Sequence, residues 1–337
     1  MYKSKITGVG YYVPDHIVSN KDLEEIMDTS DAWIVERTGI HQRRHIKPGD
    51  GNTTSSMGVK AAKEALKNAE LNPQEIDLIV FATLSPTLYF PGGGVEVQEM
   101  LTERTIPALD IRNQCSGFIY GLSVADQFIK TGMYKNVLVI GSENHSGGLD
   151  MSTRGRGVSV IFGDGAGAIV MSRAEEGDSS SILSTHLHSE GKHKKELMLE
   201  GPSTQVWVPE LMQINPEAEY LPYHPHMNGQ YVFKHAVTRF SEVINEGLEA
   251  NGLSVSDIDL LIPHQANLRI SQFIQKKFNL SDNQVFNNIQ KYGNTTAASI
   301  PIALAEAWEQ KRLKKDNILV LAAFGSGFTW ASAIIKW

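Results

Sequence analysis

The sequence predicts an α/β protein that contains two copies of one folding unit. Residues 57–83 and 240–265 share an amphipathic helix pattern, a short polar turn and an apolar strand that starts with Ile-Asp-Leu. Residues 115–143 and 293–327 share small residues that open an apolar helix, a basic turn and a buried strand. Because the matching elements follow one another in the same order, duplication is favoured over a chance likeness of two βα units.

The strands of both units are predicted to be buried on both faces. The stretches LIVFAT, VLVIG and ILVLAAF are nearly continuous apolar runs, as expected for strands covered by helices on both sides. Residues 158–172 and 327–337 resemble each other and correspond to the last strands of the two units. The stretch GDGAGA leads into a strand and not into a helix, so it is interpreted as a turn rather than a dinucleotide-binding loop.

We predict a first half at residues 1–174 and a second half at residues 230–337. Residues 175–229 are rich in Ser, His, Pro and charged residues, and they predict a loop-rich insertion with little regular structure. No cysteine or patterned carboxylate would complete a set of metal ligands there, so solvated loop histidines are favoured over a metal site. These histidines are His186, His188, His193, His224 and His226.

The bulk composition is that of a globular protein. The chain has 337 residues, of which 41% are hydrophobic and 20% are charged. The formal net charge of -7 argues against a general nucleic-acid-binding protein. The N-terminal stretch is not apolar enough for a signal peptide, and no run of about 18 apolar residues predicts a membrane span. A cytoplasmic location is therefore expected.

The sole cysteine, Cys115, is a candidate nucleophile. It follows a predicted strand from Ala108 to Arg112 and opens a helix, where free N–H groups and the helix dipole favour a thiolate. A thiolate is the reactive form in covalent catalysis. Many lone cysteines are instead small buried core residues, and position alone leaves both interpretations open. A single cysteine excludes an intramolecular disulfide and a cysteine-based zinc cluster.

Two polar residues of the second unit complete a candidate active site. His264 directly follows a predicted strand from Leu260 to Pro263, at the strand end where α/β sheets place ligands. Asn294 lies in the GNTT turn and aligns close to Cys115 in the repeat, so a pseudo-twofold arrangement would bring the two together. Taken alone, Asn294 would be a helix cap. The backbone N–H groups of the FGSGF hairpin could point at a thioester oxygen.

Four stretches resemble one family of enzymes. They are DTSDAWIVERTGI, IFGDGAGA, PHQANLRI and GNTTAAS, and the similarity extends along nearly the whole chain. On these residues the sequence resembles β-ketoacyl-[acyl-carrier-protein] synthase III, the condensing enzyme of the thiolase superfamily that initiates bacterial fatty-acid synthesis. The resemblance implies a thiolase fold, in which duplicated βαβαβαββ halves form five α-β-α-β-α layers, and it implies a homodimer.

The resemblance also implies roles for particular residues. The catalytic triad would be Cys115, His264 and Asn294, and the oxyanion would be bound by the backbone N–H groups of Cys115 and Ser326. The residues implied at the coenzyme A channel are Trp33, Arg37, Arg156 and Asn267, with Phe90 bordering the acyl pocket across the dimer interface. An acidic acyl carrier protein needs a local basic patch, for which the candidates are Lys234, Arg269, Lys276 and Lys277.

The implied activity is a decarboxylative Claisen condensation. An acyl group from acyl-CoA would be held on Cys115, and a malonyl thioester on the acyl carrier protein would supply the attacking enolate. No metal or redox cofactor is required. Arg112, Asn113 and Gln114 stand where the family usually has small residues, Ser326 stands where Gly is usual, and the insertion around residues 201–223 differs from the common pattern. These departures surround the acyl channel and predict a primer other than acetyl.

Several alternatives stay open. A related synthase of a specialised pathway, of the alkylquinolone, resorcinol or polyketide type, would share the triad and use a non-acetyl primer. A cysteine hydrolase would also use Cys, His and Asn, although the duplication counts against it. An inactive relative would only bind a carrier protein or a partner subunit, and the intact triad argues against it. A degradative thiolase is disfavoured because that class uses a second cysteine.

Overall fold

The computed structural model describes residues 1–337, in which thirteen strands and eleven α-helices are connected by turns and short 3-10 helices. The strands are β1 (Ser4–Tyr12), β2 (Ile17–Ser19), β3 (Gln42–Arg44), β4 (Leu78–Ala82), β5 (Ala108–Ile111), β6 (Asn136–Glu143), β7 (Gly165–Arg173), β8 (Ser181–Ser189), β9 (Leu197–Met198), β10 (His226–Met227), β11 (Leu260–Pro263), β12 (Ile318–Gly325) and β13 (Thr329–Lys336).

Capping residues in the sequence mark where helices begin. The side chain of Thr53 accepts a hydrogen bond from the N–H of Ser56 and so caps the third helix. The helices are α1 (Asn20–Glu24), α2 (Asp31–Thr38), α3 (Thr54–Asn68), α4 (Gly93–Leu101), α5 (Gly117–Lys130), α6 (Arg156–Ser159), α7 (Val208–Leu211), α8 (Gly229–Ala250), α9 (Leu268–Lys277), α10 (Ile289–Tyr292) and α11 (Ser299–Glu309). None of them combines the length and apolar composition that crossing a membrane requires.

Two mixed sheets form the centre of the molecule. The first has the strand order β1-β7-β6-β4-β5, and the second has the order β11-β12-β13-β8. In both sheets the last strand of the unit pairs antiparallel with the strand before it, β7 with β6 and β13 with β12. Parallel pairing joins β4 to β6 and β11 to β12. The common topology supports the predicted duplication.

The start of the second unit differs from the predicted boundary at residue 230. Strand β8 lies within residues 175–229 and pairs antiparallel with β13, just as β1 pairs with β7 in the first sheet. The sequence SILSTHLHS hides this strand because it is polar on the side that faces α8. There His188 Nε2 lies 2.6 Å from Glu246 Oε2, and this contact takes the place of apolar packing. The irregular part of the insertion therefore begins only after β8.

Helices cover and separate the two sheets. Helix α3 packs on β1 and β7 at one outer face, and α8 packs on β12 and β13 at the other. Helices α5 and α11 lie between the sheets, since α5 contacts both β6 and β13 and α11 contacts both β7 and β11. The resulting order of layers is α-β-α-β-α, which confirms the predicted thiolase fold. Buried apolar side chains of both sheets and both central helices form one cluster.

Two short turns meet at the junction of the halves. The 3-10 turn Gln114–Ser116 precedes α5, and the 3-10 turn Thr296–Ala298 precedes α11. The two turns contact each other, and each also packs on a strand of the opposite half, the first on β12 and the second on β6. The duplication therefore brings the chain near Cys115 and the chain near Asn294 to one place.

Candidate active site

A cavity of ≈ 860 Å³ lies at the junction of the two halves. Cys115, His264 and Asn294 all line it, although they are far apart in the sequence. Each of the three is buried, with exposed fractions of 7%, 3% and 6% respectively. The structure therefore brings the predicted triad to the wall of a single cavity that extends toward the surface.

Cys115 is held in a tightly packed turn. The preceding residue, Gln114, has a φ of 45, a left-handed conformation that costs energy for a residue other than Gly. Next to the cysteine, Ser116 Oγ lies 2.7 Å from Thr329 Oγ1 of β13. A side chain at Gly325 would place its Cβ 2.9 Å from the Cys115 sulfur, so only glycine leaves room there. The sulfur is thus fixed against the hairpin between β12 and β13.

The protonation state of Cys115 differs from the expected resting thiolate. Burial raises the pKa of the Cys115 thiol to about 12, and the negative charge of Glu143 adds to this rise. The backbone N–H groups of Ser326 and of Cys115 itself lower the pKa, but by less than burial raises it. The resting group is therefore a thiol. The same two N–H groups are the predicted oxyanion donors, and both lie beside the reacting atom.

Glu143 is a buried acid that the sequence analysis missed. It ends β6 and is fully buried. Its carboxylate accepts hydrogen bonds from Thr83 Oγ1 at 3.0 Å and from the N–H groups of Leu84 and Ser85 at 3.1 and 3.2 Å. Burial nevertheless raises the pKa of Glu143 to about 7. The polar end of the strand, with the sequence GSE, could have indicated a functional acid. That Glu143 lies near Cys115, however, depends on the packing of the two halves.

His264 presents one unpartnered ring nitrogen. Its Nδ1 lies 2.6 Å from Ser299 Oγ, whereas Nε2 is buried and has no hydrogen-bond partner. Burial lowers the pKa of His264 to about 3, so the ring is neutral at physiological pH. Ser299 Oγ accepts a bond from the N–H of Gln265 at 3.3 Å, and its own proton is then free to be donated to Nδ1. In that arrangement Nε2 carries the proton and can donate it to a ligand.

Asn294 is oriented by its own turn. The N–H of Thr296 donates to Asn294 Oδ1 at 2.8 Å, which leaves the Nδ2 amide group without a partner in the protein. The backbone of Asn294 is tied to the IFGDGAGA stretch by a bond from its N–H to the carbonyl of Ile161 at 2.8 Å. Thr296 has a φ of 50 and is fixed by His145, whose Nε2 lies 2.7 Å from Thr296 Oγ1. Two donors, one from His264 and one from Asn294, are thus available in the cavity.

Three of the four predicted coenzyme A residues line the cavity, and the fourth, Arg156, lies beside one of them. Arg37 lies over the ring of Trp33 at 4.5 Å, and Arg156 lies near the same ring at 5.3 Å. Trp33, Arg37 and Asn267 line the cavity. Asn267 Nδ2 donates to the carbonyl of Arg37 at 2.9 Å and so joins α2 to α9. An aromatic ring between guanidinium groups is suited to a flat base that carries phosphates.

The predicted carrier-protein residues are distributed over two helices. All four are exposed, and Arg269 at the start of α9 also lines the cavity. Its guanidinium lies 5.8 Å from the ring of Phe233 on α8. Lys234 on α8 and the pair Lys276 and Lys277 at the end of α9 do not line the cavity. Of the four, only Arg269 is therefore placed at the cavity, and the carrier-protein role of all four stays a prediction.

Part of the cavity wall comes from the insertion, as expected from the departures around residues 201–223, although the sequence analysis named no individual residue there. Tyr220, Leu221, His224 and Met227 all line the cavity. Phe90, by contrast, does not line it within one chain and is 81% exposed. The structure therefore adds a wall to the predicted site, and the role of Phe90 across a dimer interface stays a prediction.

Profiles of one enzyme family match both halves. Residues 109–191 match the profile described as 3-oxoacyl-[acyl-carrier-protein (ACP)] synthase III, and residues 248–337 match its C-terminal counterpart. Together with the five-layered fold, these matches place the chain in the class of thiolase-fold condensing enzymes, which are acyltransferases. The first matched segment contains Cys115, and the second contains His264 and Asn294.

Full-length relatives define the family more narrowly. The β-ketoacyl-[acyl-carrier-protein] synthase III of Rhodospirillum centenum is 45% identical over 339 residues, which cover 99% of each chain. That of Aliivibrio fischeri is 45% identical over 333 residues, again 99% of each chain. The protein belongs to the β-ketoacyl-[acyl-carrier-protein] synthase III family.

Solved structures agree with this assignment. The crystal structure of 3-oxoacyl-[acyl-carrier-protein] synthase III from Aquifex aeolicus has a TM-score of 0.90 and 43% identity, and the match covers 99% of this chain and 100% of that chain. The priming beta-ketosynthase of a polyketide biosynthetic pathway has a TM-score of 0.89 at 30% identity, over 99% and 96% of the two chains. The fold is thus shared with enzymes named for different pathways.

Proposed function

We propose that this chain joins an acyl group from acyl-CoA to the malonyl group of a malonyl-acyl carrier protein, with Cys115, His264 and Asn294 as the catalytic residues. One observation carries the assignment of roles. A lone cysteine shares its cavity with two residues, His264 and Asn294, whose Nε2 and Nδ2 atoms have no partner in the protein. A nucleophile and two free donors are the groups that an acyl transfer followed by an enolate attack needs.

In the first half-reaction the sulfur of Cys115 attacks the acyl-CoA carbonyl. The thiol proton leaves Cys115, the thioester bond to coenzyme A breaks, and coenzyme A departs as a thiol after it receives a proton. The N–H groups of Cys115 and Ser326 hold the developing oxyanion, since both act on the sulfur and lower the pKa of the thiol. Neutral His264 lines the same cavity and is the base when Nδ1–H donates to the Ser299 hydroxyl, because Nε2 is then unprotonated. Nε2 takes the thiol proton and gives it to the departing coenzyme A.

In the second half-reaction the malonyl group loses carbon dioxide. The electrons of the broken C–C bond form an enolate, whose oxygen accepts hydrogen bonds from His264 Nε2 and Asn294 Nδ2. The enolate carbon then attacks the acyl group on Cys115, and the sulfur leaves and is reprotonated. The products are a β-ketoacyl carrier protein, coenzyme A and carbon dioxide. None of these steps requires a metal or a redox cofactor.

The decisive experiment is an assay of the purified protein with acyl-CoA and malonyl-acyl carrier protein. Mass spectrometry should detect an acyl group on Cys115 and then a β-ketoacyl carrier protein. Cys115→Ala should lose the acyl-enzyme and the condensation product. A cysteine hydrolase would instead release free acid without consuming the malonyl thioester, and that result would refute the proposal.

That the enzyme prefers a primer other than acetyl is a separate proposal. Supporting it are the polar residues Arg112, Asn113 and Gln114 before Cys115 and the additional cavity wall around Leu221. We expect a panel of acyl-CoA primers to acylate Cys115 at different rates, with a longer or branched chain preferred. A clear preference for acetyl-CoA would contradict this part alone.

A further inference from the structure

A side chain joins the hairpin of the oxyanion hole to the insertion. Ser326 lies between β12 and β13, and its hydroxyl donates to the carbonyl oxygen of Leu197 in β9. Strand β9 pairs with β10, so the two form a short ribbon. The chain between them, residues 199–225, is called the strap below. The ribbon at the base of the strap is therefore in direct contact with a residue that adjoins Cys115.

The strap is itself fixed to the body of the protein. Arg154 donates through Nη1 to the carbonyls of Pro216 and Ala218, at 2.9 and 2.8 Å. The same guanidinium donates through Nε to Asp150 Oδ2 at 2.6 Å. Near the end of the strap, His224 Nδ1 lies 2.9 Å from the carbonyl of Gly148. The strap is thus an anchored wall of the cavity and not a free loop.

The hairpin is also held on its other side. Thr329 Oγ1 donates to the carbonyl of Ser326 at 3.2 Å and lies 2.7 Å from Ser116 Oγ. Phe328 and Glu190 exchange two backbone hydrogen bonds, at 3.0 and 2.7 Å. These contacts fix the carbonyl group of Ser326 and the residues that follow Ser326. Only the bond to Leu197 is made by the side chain of Ser326 itself, the residue that is predicted to supply an oxyanion N–H.

We propose that the hydroxyl of Ser326 is a positioning group for the oxyanion hole. It holds the Ser326 backbone so that its N–H points to the oxyanion, and it uses the ribbon at the base of the strap as its anchor. The insertion therefore affects the rate of the chemical steps in addition to forming a wall. This inference rests on the proposed function, because it assumes an acyl transfer at Cys115.

The test compares Ser326→Ala and Ser326→Gly with the unmodified protein. Both variants keep the backbone N–H, so a loss of rate would report its position and not its removal. A small displacement of a reacting group is costly, and we expect kcat to fall about tenfold or more while KM for acyl-CoA changes less than about twofold. Ser256→Ala is the matched control and should keep the full rate, because Ser256 is exposed and does not line the cavity.

A second variant tests the contact between Ser326 and the ribbon by changing a residue that anchors the strap. Arg154→Gln removes the two bonds that Arg154 donates to the strap, and we expect it also to lower kcat. If Ser326 acts through the ribbon, the Ser326→Ala change should cost less in the Arg154→Gln background than in the unmodified protein. Unchanged kcat in Ser326→Ala, or a change confined to KM, would overturn the inference while leaving the proposed function intact. An unmodified protein that does not form the acyl-enzyme would instead overturn the proposed function.

Discussion

The chemistry of His264 depends on a single neighbouring hydroxyl group. Ser299 at the start of α11 contacts Nδ1 of the ring at 2.6 Å, and both residues are buried. Because burial keeps the ring neutral, one ring nitrogen carries a proton and the other does not. The partner of Nδ1 decides which tautomer is present, and thereby whether Nε2 can stabilise an enolate.

We expect Ser299→Ala to lower the rate of condensation by about tenfold or more, because Nδ1 would lose the partner that selects the tautomer. The measurement is carbon dioxide release from malonyl-acyl carrier protein in the presence of acylated enzyme. Ser271→Ala is a matched control, since Ser271 is also a buried serine but its Oγ has no hydrogen-bond partner. Equal losses in the two variants would indicate a packing effect and would contradict the role of Ser299.

Glu143 sets the reactivity of Cys115 through its charge. Above its pKa of about 7 the carboxylate is ionised and disfavours a thiolate nearby, whereas below this pKa it is neutral. Glu143→Gln removes the charge at every pH. The variant should therefore differ from the unmodified protein only when the pH rises through about 7.

We predict that Glu143→Gln lowers the pKa of the Cys115 thiol and raises its rate of alkylation by iodoacetamide. The rate ratio of variant to unmodified protein should be near one at pH 6 and should reach about threefold to tenfold at pH 8.5. Glu143→Asp keeps the charge and is the control for changes in packing. A ratio that does not change with pH would show that the carboxylate has no electrostatic effect on the sulfur.

For individual residues, the sequence could identify Cys115, His264 and Asn294 as candidate catalytic residues. Each follows a recognisable strand end or opens a helix, and the repeat aligns Asn294 close to Cys115. It could not identify Ser299 or Glu143. Their contribution is a hydrogen bond or a charge across the junction of the halves, and no local pattern encodes such a contact.

Among the elements, β6 and the turn Thr296–Ala298 approach each other closely near the site. A Cβ added at Gly141 in β6 would lie 2.2 Å from the carbonyl oxygen of Ala297. The same turn supplies the N–H of Thr296 that orients Asn294. The absence of a side chain at Gly141 therefore lets a strand of the first half support an active-site turn of the second.

We expect Gly141→Ala to push this turn away from β6, to lower stability by about 1–3 kcal/mol and to reduce condensation strongly. Thermal unfolding and the product assay would measure the two effects. The matched control is Gly191→Ala, because a Cβ at Gly191 would meet no atom within 4 Å. Full activity of the Gly141 variant would show that the turn tolerates displacement and that Asn294 does not depend on its position.

The prediction of elements succeeded where strands are apolar and buried on both faces. Strand β11 lies where the sequence placed it, and β4 and β5 end one residue earlier than predicted. Strand β8 was missed because its serines and histidines satisfy each other and Glu246 through polar contacts, as His186 Nε2 does with Ser184 Oγ at 2.9 Å. Hydrophobic patterning cannot detect a strand whose helix-facing side is stabilised by polar contacts.

For the whole molecule, the free edge of the first sheet argues for a second copy of the chain. Strand β5 is the last strand of that sheet, and its Leu109 is 40% exposed. The loop between β4 and α4 adds the exposed apolar side chains of Leu88, Tyr89 and Phe90. An open edge next to an apolar patch is unfavourable in water. Pairing of two β5 strands would cover both features and would bring Phe90 of one chain to its partner.

We therefore predict a homodimer in solution, with a mass twice that of one chain in light scattering after size-exclusion chromatography. Leu109→Lys places a charge on the edge strand and should shift the protein toward the monomer. Met133→Lys changes another exposed apolar residue away from this edge and should leave the dimer intact. If Phe90 borders the acyl pocket of the partner, the monomeric variant should also acylate Cys115 more slowly with long primers than with short ones. A monomeric unmodified protein with full activity would refute both the interface and the role of Phe90.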